Sequence, residues 1–90
     1  MDCIELQEKS GRHGDDFYRC LKTLRKHVGN SRQSKKAADR CKILAGIYDR
    51  SLDEFLVSLK EQQPSNSVAA EIAKALEFKR ALNAETELIS

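Results

Sequence analysis

The sequence predicts an all-α protein, an antiparallel three-helix bundle with a long central helix. Three observations indicate this class. Apolar residues recur at helical spacing over most of the chain, four Gly and one Pro leave little material for hairpin turns, and the five aromatic residues include no Trp. Ninety residues suffice for one domain with a small core. We therefore expect a single helical domain over residues 15–90.

Residues 1–14 are predicted to form a mobile arm ahead of this domain. The apolar residues of the segment all lie within its first six positions. Three small residues, Ser10, Gly11 and Gly14, then interrupt any helical period.

The first helix is predicted over residues 15–28. Asp15 or Asp16 is expected to cap its N-terminus, and Gly29 is expected to adopt the left-handed conformation that ends it. Apolar residues fall on one face at helical spacing: Phe17, Cys20, Leu21, Leu24 and Val28.

The second helix is predicted over residues 31–62, with Asn30, Ser31 or Ser34 as its N-cap. Its apolar residues alternate steps of three and four through three heptads: Ala38, Cys41, Ala45, Tyr48, Leu52, Phe55 and Leu59. The sequence Ser51-Leu52-Asp53-Glu54 matches a capping box, so a kink or a new helix at Ser51 is an alternative. The unbroken heptads favour one long helix.

A turn is expected at residues 62–67, because Pro64 disfavours helix in the preceding residue and three potential N-caps follow it. The third helix is predicted over residues 67–89. Its apolar stripe is broader and less regular than that of the second helix, and its many Ala residues favour helix formation.

The predicted helices are unequal in length. At about 1.5 Å per residue the second helix would be about 48 Å long and the first only about 21 Å, so the first cannot cover the second. An apolar strip is therefore expected to be exposed on the C-terminal half of the second helix, at Leu52, Phe55, Leu56 and Leu59. Covering that strip with a second copy predicts a symmetric homodimer, and a monomeric three-helix bundle is the alternative.

Charge is unevenly distributed along the chain. Residues 12–42 contain ten of the sixteen Lys and Arg residues but three of the fourteen acids, a net charge of +7, whereas the rest of the chain carries −5. The near-neutral total of +2 conceals a segment that could attract an anionic partner.

Helical spacing collects these bases on two helix edges that meet at the turn between the first two helices. We call this surface the basic corner; it comprises Arg19, Lys22, Arg25, Lys26, Arg32, Lys35, Lys36 and Arg40. Such a corner suits phosphates or an acidic protein surface, and the leading hypothesis is a protein-interaction module. The alternatives are nonspecific binding to DNA or RNA, and a solvated face that only keeps the protein soluble.

Catalysis, metal binding and cofactors are not predicted. The soft-ligand candidates are His13, Cys20, His27 and Cys41, too few at suitable spacing for a structural metal site. Cys20 and Cys41 lie on core faces and are expected to be reduced, buried thiols. The paired acids at residues 15–16 and 49–54 are better explained as a helix cap and as a polar helix face than as acid–base groups.

No membrane segment is expected, because the longest apolar run, residues 43–48, is far shorter than the roughly 20 residues that a span needs. The first residues also lack the basic start and apolar stretch of a signal peptide. The predicted location is cytoplasmic.

Overall fold

The computed structural model describes residues 2–27, 29 and 31–89, and of Ser31 the backbone alone. These residues form three helices, α1 (Cys3–Lys26), α2 (Ser31–Glu61) and α3 (Asn66–Ile89), and they contain no strand. α1 packs on α2, and α3 packs on α2, in an antiparallel bundle that measures 50 × 21 × 15 Å. The predicted fold class is confirmed.

α1 begins at Cys3 instead of residue 15, so residues 3–14 are its first half rather than an arm. The N-cap is Asp2, whose side chain accepts a hydrogen bond from the Glu5 amide at 2.8 Å, and Asp15 and Asp16 lie within the helix. The prediction of an arm was wrong because small residues were interpreted as breaks. Ser10 and Gly14 are in fact buried and continue the inner face of the helix from Leu6 to Phe17.

The longer α1 covers the C-terminal half of α2. Its 24 residues span about 36 Å at about 1.5 Å per residue, and Leu6 packs against the end of α2 that was expected to be open. The predicted self-association strip is consequently buried within one chain, with Leu52, Phe55, Leu56 and Leu59 at most 6% exposed. The predicted exposure of this strip was therefore wrong, and self-association through it stays a prediction that has lost its basis.

α2 is the central element, as its heptads predicted. Cys41, Ala45, Tyr48, Leu52, Phe55 and Leu59 are buried, whereas Ala38 is half-buried. The helix passes through Ser51 without interruption, and the Ser51 hydroxyl donates to the Tyr48 carbonyl at 2.8 Å. Ser51 therefore does not begin a new helix.

The turns largely follow the sequence. α1 ends at Lys26, and Gly29 has a φ of 100°, the left-handed conformation expected of it. Val28, predicted as a core residue, and Asn30, a predicted N-cap, lie outside the described residues. After the Pro64 turn the Ser65 hydroxyl accepts a hydrogen bond from the Val68 amide at 3.1 Å, which caps α3.

α3 is attached to α2 along a narrow line. Its buried residues are Ala75 and Leu82. Lys79 forms ion pairs with Asp49, at 3.3 Å, and with Asp53 on α2. The hydrogen bond to Asp53 is the largest of the effects that raise the pKa of Lys79. These acids of the predicted polar face thus form ion pairs between α2 and α3.

Candidate functional site: a basic groove between α1 and α2

A groove of about 520 Å³ lies along one side of the α1–α2 interface, near the turn that joins the two helices. We call it the basic groove. The residues that line it are Asp16, Arg19, Cys20, Thr23, His27, Gln33, Lys36, Ala37, Arg40 and Leu44. None of them belongs to α3.

The position of α3 explains why this side is open. The C-terminal end of α3 reaches the opposite side of the α1–α2 pair, where Glu85, Leu88 and Ile89 face Leu21 and Leu24. The basic groove lies on the uncovered side, at residues spaced three or four apart on each helix. Helical periodicity therefore places its bases side by side across the interface.

The structure separates the eight bases of the predicted basic corner. All eight are exposed, but only Arg19, Lys36 and Arg40 line the basic groove. Arg25 instead forms an ion pair with Glu85 of α3 at 3.5 Å. The remaining four are exposed outside the groove: Lys22, Lys26, Arg32 and Lys35.

The bases of the groove have little local compensation. Within the described part of the chain Arg19, Lys36 and Arg40 form no ion pair, and Asp16 is the single acid in the lining. Half-buried His27 lies at the end of the groove nearest the turn. Asp16 and His27 were not among the predicted binding residues. Asp16 lies three residues before Arg19, and His27 lies four residues after Thr23, so helical spacing could have indicated both.

The basic charge at the start of α2 is electrostatically unfavourable. Arg32, Lys36 and Arg40 repeat at intervals of four, and like charges at this spacing destabilise a helix by about 0.2–0.5 kcal/mol per pair. The first turn of α2 contains no acid that would complement the positive end of the helix dipole. This arrangement of bases lowers the stability of the helix, whereas a surface of uncharged polar residues would not.

Two thiols meet at the base of the groove. Cys20 lines the groove, and Cys41 behind it is fully buried. The Cys41 thiol donates to Cys20 Sγ across 2.6 Å, and Cys20 also contacts the Ala37 carbonyl at 3.7 Å. Burial, followed by the hydrogen bond to Cys20, raises the pKa of Cys41 to about 12.

Both thiols are free and buried, as predicted from their positions on core faces. The sequence did not indicate that they touch. They are separated by 21 residues and lie on different helices, so their contact depends on the register between α1 and α2.

Aromatic side chains are absent from the described lining of the groove. Tyr18, the aromatic residue nearest the predicted basic corner, is 39% exposed, but its ring packs on Phe17 and Tyr48 with centroids 5.2 and 6.4 Å away. The site therefore offers positive charge and a small apolar base rather than a surface for stacking nucleic-acid bases.

The described residues contain no group of three or more His, Cys, Asp or Glu side chains placed to hold a metal ion. None of the helices that the structure describes is long and apolar enough to cross a membrane. No family model, curated protein or solved structure matches the chain.

Proposed function

We propose that this protein is a non-catalytic interaction module that binds an acidic protein segment in the basic groove. The observation that carries the proposal is the open groove in which Arg19, Lys36 and Arg40 lie without ion-pair partners among the described residues. A segment bearing several carboxylates would supply the missing negative charge.

The form of the groove favours a protein segment over a merely solvated surface. Cys20, Ala37 and Leu44 provide apolar surface between the bases, so a bound segment could bury an apolar side chain while its carboxylates pair with the rim. Lys36 and Arg40 also lie four residues apart on α2, a spacing at which like charges are unfavourable, and departures from local preference are expected at functional sites.

Nonspecific binding to DNA or RNA is the second hypothesis for the same surface. Phosphates could pair with Arg19, Lys36 and Arg40, but the lining supplies no aromatic side chain for stacking. We therefore place the acidic protein segment first. The homodimer stays a prediction, although the apolar strip that suggested it is buried within one chain. The cytoplasmic location rests on the sequence alone.

The test compares two variants that lose the same charge. The groove variant carries Arg19→Gln, Lys36→Gln and Arg40→Gln; the matched control carries Arg50→Gln, Lys60→Gln and Lys74→Gln, all at exposed positions outside the groove. Binding of a fluorescent peptide rich in Glu and Leu, and of a fluorescent DNA duplex, is measured by anisotropy at about 50 mM salt.

We expect the wild type and the control to bind the peptide and the groove variant to lose at least about tenfold in affinity, the equivalent of about 1.4 kcal/mol. Equal losses of affinity in both triple variants would show that binding depends on net charge alone and would overturn the proposed binding site. Tighter binding to the duplex, with a log–log salt slope near about −5 for six phosphate contacts, would favour the nucleic-acid hypothesis instead.

A further inference from the structure

The sulfur atoms of Cys20 and Cys41 lie closer together than those of two unbonded thiols normally do. Their Sγ atoms are 2.6 Å apart, only about 0.6 Å more than the covalent S–S bond of about 2.04 Å. Cys20 lies in the C-terminal half of α1 and Cys41 lies on α2, and both belong to the core cluster that also contains Phe17 and Tyr48. We propose that Cys20 and Cys41 are a redox pair that forms a reversible disulfide linking α1 to α2.

The surroundings assign different roles to the two sulfurs. Cys20 borders the basic groove, so a small oxidant that enters the groove meets this thiol first. Cys41 is fully buried behind it and has Cys20 as its sulfur neighbour. Cys20 is therefore the attacking thiol, and Cys41 is the thiol that resolves the product.

Hydrogen peroxide is small enough to serve as the oxidant. Cys20 releases its proton and its sulfur attacks one peroxide oxygen, the O–O bond breaks, and a sulfenic acid and hydroxide are formed. The hydroxide takes up the released proton to give the first water. Cys41 sulfur then attacks Cys20 sulfur, the S–O bond breaks, and the departing oxygen takes up the thiol proton to leave as water. In total two thiols are oxidised to one disulfide, and one peroxide is reduced to two waters. A dithiol reverses the change by thiol–disulfide exchange.

The third cysteine provides an internal control. Cys3 is half-buried at the start of α1 and packs on the other core cluster, with Leu6 and Phe55. It is thus more accessible than Cys20 and Cys41 but has no thiol beside it among the described residues. Accessibility alone predicts that Cys3 reacts first, whereas a preorganised pair predicts that Cys20 and Cys41 are lost together.

The experiment treats the reduced full-length protein with graded hydrogen peroxide, denatures it and alkylates the remaining thiols. Intact mass spectrometry should show the change from three alkylated cysteines to one, with the loss of two hydrogen atoms and without dimer formation. Tryptic digestion should yield residues 20–22 joined to residues 41–42, and dithiothreitol should restore three reactive thiols. The oxidised form should melt at least about 8 °C higher, because the bond restricts the unfolded chain.

Cys3→Ala should retain the linked peptide, and Cys41→Ala should abolish it. Oxidation that leaves Cys41 alkylatable, disulfides that involve Cys3, or covalent dimers as the main product would each overturn the pair. Cys41→Ala removes a core side chain and could fail to fold, but the peptide map of the wild type and of Cys3→Ala decides the question without it.

Discussion

The contact between Gly14 and Tyr48 determines how closely α1 approaches α2. A Cβ atom at Gly14 would lie 2.9 Å from Cζ of the Tyr48 ring. That ring is buried and is held by Phe17 and Tyr18, so it has little freedom to move aside. Gly11, one turn earlier in the same helix, has nothing within 4 Å of the corresponding position.

These two glycines permit a matched test. Gly14→Ala should lower the free energy of unfolding by about 1 kcal/mol, since overpacking costs about 1–3 kcal/mol and the gain in helix propensity returns about 1 kcal/mol. Gly11→Ala should raise it by about 0.5–1 kcal/mol, because it gains propensity without a clash. Urea denaturation measures both, and equal shifts would contradict the close packing.

Tyr48 also makes stability depend on pH at alkaline values. Burial, with smaller effects of Tyr18 and Asp15, raises its pKa above the ordinary value. The unfolded chain therefore loses the phenolic proton at lower pH than the folded protein does, so stability declines as the pH rises past about 10. Tyr48→Phe should make this decline shallower, as measured by urea denaturation between neutral pH and pH values above about 10. An unchanged slope would mean that the phenol is not protected by folding.

At the scale of the helix, α1 shows what the sequence predicts and what it does not. Large apolar residues at regular spacing identified α2 and the second half of α1, because such residues mark the buried face directly. The buried face of the first half of α1 includes Ser10 and Gly14. These residues are small and not strongly apolar, so a hydropathy pattern does not reveal that this face is buried. Because the predicted start of α1 was twelve residues too late, the predicted helix was too short and Phe55 was expected to be exposed.

The corrected boundary leads to a prediction for α1. Leu6 is 8% exposed and packs in the cluster with Phe55 and Ala75, whereas Ile4 is 67% exposed. Leu6→Ala should lower the free energy of unfolding by about 2–3 kcal/mol, and Ile4→Ala should change it by less than about 0.5 kcal/mol. If residues 3–14 were a mobile arm, the two variants would be equally harmless in urea denaturation.

At the scale of the whole molecule, the bundle has two unequal sides. The uneven charge along the chain was visible in the sequence, and it survives as the basic groove near the α1–α2 turn. Which bases stay unpaired was not predictable, because it depends on the side of the α1–α2 pair that α3 occupies. α3 brings Glu85 to Arg25 and leaves Arg19 and Arg40 open.

The unpaired bases on α2 repel one another, and this repulsion should lower the stability of the folded protein. Lys36→Gln combined with Arg40→Gln removes two repulsive i, i+4 pairs with Arg32 and with each other. The double variant should raise the free energy of unfolding by about 0.5 kcal/mol at low salt, and the gain should shrink as salt screens the charges. The same variant should bind the acidic peptide more weakly, so stability and binding should change in opposite directions.

Arg50→Gln combined with Lys60→Gln is the matched control on the same helix. Arg50 lies beside Asp53 and Glu54, and Lys60 lies in the last turn of α2, where positive charge complements the helix dipole. Removing these two charges should lower the free energy of unfolding by a few tenths of a kcal/mol and should leave peptide binding unchanged. Thermal melts at about 10 mM and about 0.5 M salt, paired with anisotropy titrations, measure both effects. The absence of a stability gain in the groove variant would show that the groove bases do not repel one another and would remove the electrostatic argument for a binding site. An equal gain in the control would show that the effect comes from net charge and not from the groove.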